Sequence, residues 1–314
     1  MENSNAKHVA ICNSMAFEIN GDKSAIFIHN KYSMGTVDGR NLILKPYEAI
    51  YLYLRRRIEP FNGALKSEVS LISNLIGEED IHKLKVYLEL KEEGTKISID
   101  PDFFNVVRKN EKQSVIRRVV PVRENESITF AWLHEMLGKN VASVDDDGDV
   151  TYYRLNAADL HGKNITEEKT PRDIVKIGKR GLARQEDIPA WMGDRVGSVS
   201  FLSEQEFSIL TNPESEENVS LIYRNLVQNG MIVKTGFKYG CTFRAYEDSI
   251  ENHSEYLIHV AGKKMEWYEV SRAVRVAGAV KKSMIFASIM DGKPVYVEIR
   301  RIKNIGEFNS SNHI

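Results

Sequence analysis

At 314 residues, with 42% hydrophobic and 28% charged side chains, the chain is long enough for more than one buried core and has an ordinary globular composition. Its 43 Lys and Arg against 44 Asp and Glu leave a net charge of −1, which excludes global attraction to a polyanion; any nucleic-acid binding has to come from local basic patches. Two cysteines, Cys12 and Cys241, exclude a disulfide scaffold or a Cys-rich zinc site and fit a reducing, cytoplasmic setting. Met1–Phe17 lacks a basic segment followed by an apolar run, so no signal peptide is expected, and no apolar stretch has the length of a membrane span.

Residues 1–60 read as a small N-terminal α/β subdomain. Its clearest element is a helix opened by Lys45-Pro46-Tyr47-Glu48, with proline where a missing N–H costs least. It continues through Ile50, Leu52 and Leu54 to Arg55-Arg56-Arg57, whose cations suit the C-terminal end of the helix dipole. Residues 61–155 and 214–306 then read as two divergent copies of one unit. Val86-Tyr87-Leu88-Glu89-Leu90 before Gly94 matches Ile222-Tyr223-Arg224-Asn225-Leu226 before Gly230. Val141-Ala142-Ser143-Val144-Asp145 matches Phe286-Ala287-Ser288-Ile289-Met290, each leading through a turn to a strand, Val150–Leu155 or Val295–Ile299. Between the copies, 156–180 reads as a linker with His161-Gly162 and Thr170-Pro171, and 181–213 as a second small α/β subdomain. The polar end, 307–314, reads as a flexible tail. The expected class is mixed α/β (α+β), two tandem units, each a small α/β segment followed by a mixed sheet packed with helices.

The second copy carries the sharpest patterns. Leu221–Asn229 is an amphipathic helix closed by Gly230, and Met231–Lys234 a strand. Gly236 and Gly240 shape a loop bearing Lys238, with Lys234 just before it. Cys241–Tyr246 alternates, placing Thr242, Arg244 and Tyr246 on one face and Phe243 and Ala245 on the other. Glu255–Val260 is an apolar strand, with His259 read as a satisfied core residue. A helix from Trp267 to Lys281 is expected to bury Val270, Val274, Ala277 and Val280. Met284–Ile289 and Val295–Ile299 form a hairpin around Asp291-Gly292.

Three ionisable groups fall at element ends: Tyr246 closing a strand on its polar face, His253 before the next strand, and Lys282 ending the long helix. Arg272, Arg275 and Lys282 share one helical stripe opposite the apolar one. A base, an acid and a cation of these types suffice for transesterification within RNA without metal, although a phenol base needs a cation to bring its pKa down from about 10. Singly, each residue is common in a structural role.

The run Tyr223-Arg224-Asn225-Leu226 and Val233-Lys234-Thr235-Gly236-Phe237-Lys238-Tyr239-Gly240 resembles the nuclease core of archaeal tRNA-splicing endonucleases. Phe243-Arg244-Ala245-Tyr246, His253-Ser254-Glu255-Tyr256-Leu257 and Ser271-Arg272-Ala273-Val274-Arg275 follow in the expected order. The resemblance implies a restriction-endonuclease-like C-terminal domain that needs no cofactor and no metal. It implies Tyr246, His253 and Lys282 as the catalytic residues, and precursor tRNA with bulge-helix-bulge sites as substrate. The products would carry 2′,3′-cyclic phosphate and 5′-hydroxyl ends. Arg275 and Arg300 would clamp a flipped base, with Arg301 a competing match for the second clamp, and Arg272, Lys234 and Lys238 would add phosphate contacts.

Aligning the copies puts Val107 opposite Tyr246, Gln113 opposite His253 and Leu137 opposite Lys282, so the first copy is expected to be catalytically dead. That copy alone holds the acidic turn Asp145-Asp146-Asp147-Gly148-Asp149, which the resemblance implies docks into a basic pocket of another subunit in a homodimer of two-copy chains. A non-catalytic RNA-binding subunit is the alternative. A metal-dependent nuclease would have to draw on Asp248, Glu251 and Glu255.

Overall fold

The computed structural model describes residues 8–13, 16–20, 22–60, 72, 75–108, 116–164, 173–212, 215–303 and 305. Contacts divide the chain into two compact units, and neither is continuous in sequence. One comprises Met1–Glu124, Lys139–Tyr152 and Lys303–Ile314; the other comprises Asn125–Gly138 and Tyr153–Ile302. The tail read at 307–314 lies outside the described residues, as do Gln113 and Ser114.

In the first unit, β1 (His8–Asn13), β2 (Ala16–Asn20), β3 (Thr36–Asp38), β4 (Asn41–Leu44) and β5 (Ile58–Pro60) form a five-stranded sheet in the order β3-β4-β2-β1-β5. Helices α1 (Asp22–Tyr32) and α2 (Pro46–Leu54) accompany it, α2 starting at the proline that the sequence marks. Helix α3 (Ile81–Glu92) then leads into β6 (Thr95–Ile99), β7 (Phe104–Arg108) and β8 (Arg117–Arg123), which pair antiparallel in turn. In the second unit, β9 (Ser127–Ile128) and the short helix α4 (Phe130–Glu135) come next in the chain. Returning to the first unit, β10 (Asn140–Val144) pairs parallel with β8 and is followed by β11 (Val150–Ala157).

Most of the second unit repeats this succession. Strands β12 (Ile174–Ile177), β13 (Arg180–Arg184), β14 (Asp194–Val196) and β15 (Val199–Leu202) form a four-stranded sheet in the order β12-β13-β15-β14, with α5 (Glu204–Thr211) behind it. Helix α6 (Asn218–Gln228) precedes β16 (Ile232–Thr235), β17 (Phe243–Tyr246) and β18 (Tyr256–Val260), again antiparallel neighbours. Strand β19 (Met265–Glu266) pairs with β9 and leads into α7 (Trp267–Ala279). Strand β20 (Ser283–Met290) pairs parallel with β18 and antiparallel with β21 (Lys293–Ile302). The β20–β21 turn places Asp291 (φ 49°) and Gly292 (φ 74°) in the left-handed region, as a two-residue hairpin loop of this kind requires.

The register fixes two faces of the β16–β21 sheet. Phe243, Ala245, Ile258, Ile285, Ala287 and Tyr296 share one face and pack with Ile222, Tyr223, Leu226 and Val227 of α6. Each fully buried aliphatic side chain there stabilises the fold by roughly 1.5–3 kcal/mol. Arg244, Tyr246, Leu257, His259, Met284, Phe286, Val297, Ile299 and Arg301 alternate onto the other face, against which α7 packs. Helix α6 ends as its glycine predicts: Gly230 has φ 80°, and the Gly230 and Met231 N–H groups bond to the Val227 and Leu226 carbonyls, each at 3.0 Å.

Two local expectations change. Helix α7 stops at Ala279 rather than Lys281, so Val280 is 40% exposed instead of buried. Lys281 takes the left-handed conformation (φ 56°), and the Lys282 N–H closes the turn on the Ala277 carbonyl at 2.9 Å. Lys282 therefore sits in a tight helix-to-strand turn, not on the helix. The range 156–180 holds strand β12, and part of it is stitched to the unit's other segments. Gly162 N–H bonds to the Asn229 carbonyl at 2.9 Å, and Lys163 N–H to the Glu247 carbonyl at 2.6 Å. A Cβ on Gly162 would lie 2.1 Å from the Gly230 oxygen, so only glycine fits that crossing.

Candidate active site

Tyr246 closes β17 on the α7 face. It is 3% exposed, so the strand-end position read as polar is buried. Burial raises its phenol above the ordinary tyrosine value, and the Arg244 guanidinium, 5.8 Å from the ring on the same face, pulls against that shift. Tyr239 and Glu255 add smaller upward contributions.

Between Tyr246 and β18 runs a loop that the chain holds at both ends. Glu255 Oε2 accepts the Glu247 N–H at 3.1 Å, and the Tyr256 hydroxyl donates to Glu247 Oε1 at 2.6 Å. Lys163 and Asn164 fasten the same corner from outside, Asn164 Nδ2 donating to the Asp248 carbonyl at 2.8 Å. His253 lies exposed on this loop, while Ser254 beside it is buried. Lys282 Nζ donates to the Ser254 carbonyl, and the Ser283 N–H bonds to the Glu255 carbonyl at 3.0 Å. The end of β17, the His253 loop and the start of β20 thus meet at one corner of the sheet. Sequence singles out Tyr246, His253 and Lys282 there; Glu247, Glu255 and Tyr256, which tie the corner together, it does not. The signal available was Glu255 beside His253-Ser254, read only as a possible metal ligand.

The expected RNA-contacting side chains separate into different settings. Arg272 and Arg275 are exposed on α7. The phenol of Tyr153, within hydrogen-bond reach of Ser271, is raised by burial, with Ser271, Arg301 and Arg275 all pulling it back down. Arg300 instead falls on the α6 face with Glu298, its Nε donating to Glu298 Oε1 at 2.7 Å and its Nη2 reaching Ser283 Oγ at 3.5 Å. Lys238 is exposed. Lys234 is not a free phosphate contact: its side chain is 13% exposed and its ammonium lies 2.7 Å from Glu206 Oε1, whose side chain is 4% exposed. It also donates to the Gly193 carbonyl at 3.3 Å and lies 5.7 Å from the Trp191 ring.

The acidic turn joins β10 to β11, with Asp145, Asp146, Asp147 and Asp149 exposed and the Asp149 N–H capped by Asp145 Oδ1 at 2.8 Å. Lys85 of α3 approaches it near Gly148. Among the described residues, no group of three or more His, Cys, Asp or Glu side chains is arranged to hold a metal ion, and no helix is long and apolar enough to cross a membrane.

The tRNA intron endonuclease family, catalytic C-terminal domain, matches residues 218–297, which contain this corner. Over almost its whole length the chain is similar to the tRNA-splicing endonuclease of Thermoplasma volcanium, 34% identical over 94% of this chain and 98% of that protein. It is 33% identical to the Picrophilus torridus tRNA-splicing endonuclease, over 92% of this chain and 95% of the other. The Methanococcoides burtonii enzyme of that name is 27% identical over 90% and 96%. The chain belongs to the tRNA-splicing endonuclease family.

Proposed function

We infer that this protein cuts introns from precursor tRNA, at bulge-helix-bulge sites. The observation that carries this is the corner where Tyr246, the His253 loop and Lys282 meet, inside the matched catalytic domain. Tyr246, in its phenolate form, takes the proton of a ribose 2′-hydroxyl, whose oxygen attacks the adjacent phosphorus as the P–O5′ bond breaks. His253 protonates the departing 5′-oxygen, and Lys282 offsets the charge gathering on the phosphoryl oxygens. One proton is taken and one given, leaving a 2′,3′-cyclic phosphate and a 5′-hydroxyl. Because the buried phenol is held above its ordinary value, Tyr246 rests protonated at neutral pH, and Arg244 is the group that makes it a stronger acid. Arg275 and Arg301 form the base clamp, since both act on Tyr153 and Arg301 shares the sheet face of Tyr246; Arg300 faces the other way.

The chain is further read as two divergent copies of one unit, the first without catalytic groups, working as a homodimer in the cytoplasm. The matching succession of α3, β6–β8, β10 and α6, β16–β18, β20, with the same sense of pairing, supports the two copies. The test is incubation of the full chain with a bulge-helix-bulge RNA in excess EDTA. Cleavage to cyclic-phosphate ends is expected; a 5′-phosphate product, or strict Mg²⁺ dependence, would overturn the mechanism.

A further inference from the structure

On the α7 face, at the end of the sheet away from Tyr246, lies a cleft of about 520 Å³. Tyr239, His259 and Tyr268 give it aromatic walls, Lys238 and Arg272 give it cations, and Glu269 gives it a carboxylate. Phe286 closes its floor, 5.5 Å from the His259 ring. His259, read from sequence as a core residue, is only partly buried and opens onto this space. Tyr268 is 47% exposed.

Large exposed rings beside cations, with a polar group at the back, are the elements that bind an unpaired nucleotide: rings stack on the base, cations take the phosphate, and fixed polar atoms meet the base edge. Tyr268 stands half exposed at this cleft, and two cations gather at its rim. Its position fits as well. Arg272 lies seven residues from the end of α7, about 10 Å, and His259 lies three residues along β18 from Tyr256, also about 10 Å. The exposed Arg272 and Arg275 lead from the cleft toward the Lys282 corner.

We propose that this cleft is a second nucleotide subsite, which takes an unpaired nucleotide of the substrate RNA a few positions from the cut, between Tyr268 and Tyr239 with its phosphate on Lys238 and Arg272. This rests on the reading of the protein as an RNA endonuclease. Glu269 Oε2 already accepts the Glu266 N–H at 3.0 Å and is thereby held in place to meet an exocyclic amine.

The test places 2-aminopurine, one position at a time, in the unpaired segments of a bulge-helix-bulge RNA and measures its fluorescence on binding to the full chain carrying His253→Ala, which blocks turnover. One position is expected to be quenched by stacking, and Tyr268→Ala is expected to remove that quenching alone and weaken binding about tenfold. Making that position abasic should then cost the Tyr268→Ala protein nothing further. Quenching that is the same at every position with and without Tyr268 would overturn the subsite. A wild-type chain that shows the Tyr268-dependent quenching without cutting RNA would instead sink the endonuclease reading and leave the subsite standing.

Discussion

Glu48 and Glu206 occupy the same trap. Each is the third residue of its helix, each is buried, and each accepts its N-cap N–H together with the N–H of a glycine 13 residues earlier: Lys45 and Gly35 for Glu48, Ser203 and Gly193 for Glu206. Beside each lies a buried tyrosine, Tyr87 or Tyr223, whose phenol is driven well up by burial first and then by that carboxylate. The strands opposite differ. Lys234, across from Arg244, neutralises Glu206, whereas Ser98 stands in that register across from Asn105. At the strand ends, Tyr246 stands where the first half has Val107. Cores, by contrast, scarcely distinguish the halves: Phe104 and Phe243, or Ala142 and Ala287, are all buried. The frame is held by backbone traps and apolar packing, and the halves differ at strand ends and in the longer helix α7, which has 13 residues against 6 in α4.

The comparison breaks most sharply at His253. If the groups confined to the second half make the transition state, His253→Ala should lower kcat by about a thousandfold with KM nearly unchanged. Comparable losses in RNA affinity would make His253 a structural residue of its loop.

Lys234→Met should act on stability and not on RNA. Burial alone would raise the Glu206 carboxyl, but the Lys234 ion pair and the Gly193 and Ser203 N–H groups outweigh it and hold it below the ordinary value. Removing the cation leaves a buried carboxylate without its counter-charge, a loss of about 3–5 kcal/mol. A depressed folded pKa gives stability that is present above the unfolded carboxylate value and lost as pH falls through the folded one. Wild type should therefore lose this contribution on acidification, and the variant should have little of it to lose. Urea titrations at pH 7 and in mild acid read both; a variant of unchanged stability with weaker RNA binding would return Lys234 to the RNA surface.

Much of this was legible. Periodicity placed α2, α6, α7 and the β20–β21 hairpin because their apolar spacings are strict. Resemblance, not spacing, singled out Tyr246, His253 and Lys282, each being unremarkable alone, and the structure brings their segments to one corner. Sequence missed the correspondence of Met34-Gly35, Gly39, Leu44 and Glu48 with Met192-Gly193, Gly197, Leu202 and Glu206, although it is written in the chain. Most of the intervening residues are exposed or half-buried and differ between the two segments, and even the buried pair Leu42 and Ser200 is unlike. Lys234 misled because a lysine beside a glycine loop looks solvated, and its partner Glu206 is 28 residues away.

Arg244→Met sharpens the account of Tyr246. Arg244 is the group that lowers the phenol, so its loss should move the rising limb of the pH–rate profile to higher pH and lower the activity at pH 7. An unmoved profile would mean that Tyr246 does not act as the base. Arg301→Ala should weaken RNA binding about tenfold, since the loss is of base stacking, and Arg300→Ala should do less; the reverse order would move the clamp to the α6 face.

The smallest effect is expected at the acidic turn, the feature the second half lacks. Replacing Asp145, Asp146, Asp147 and Asp149 with asparagine should weaken the proposed homodimer by roughly 1–3 kcal/mol in total, because exposed pairs contribute about 0–1 kcal/mol each. Two observations hold the estimate down. Lys85 already approaches the turn and offsets part of its self-repulsion, and the Asp145 cap on the Asp149 N–H survives as an amide oxygen in the variant. Rising salt should mimic the substitutions in wild type and change the variant less. Sedimentation across a dilution series reads the shift in dimer dissociation; an unchanged dissociation constant at low salt would make the turn a solvated loop, and the asymmetry between the halves would then end at the catalytic corner.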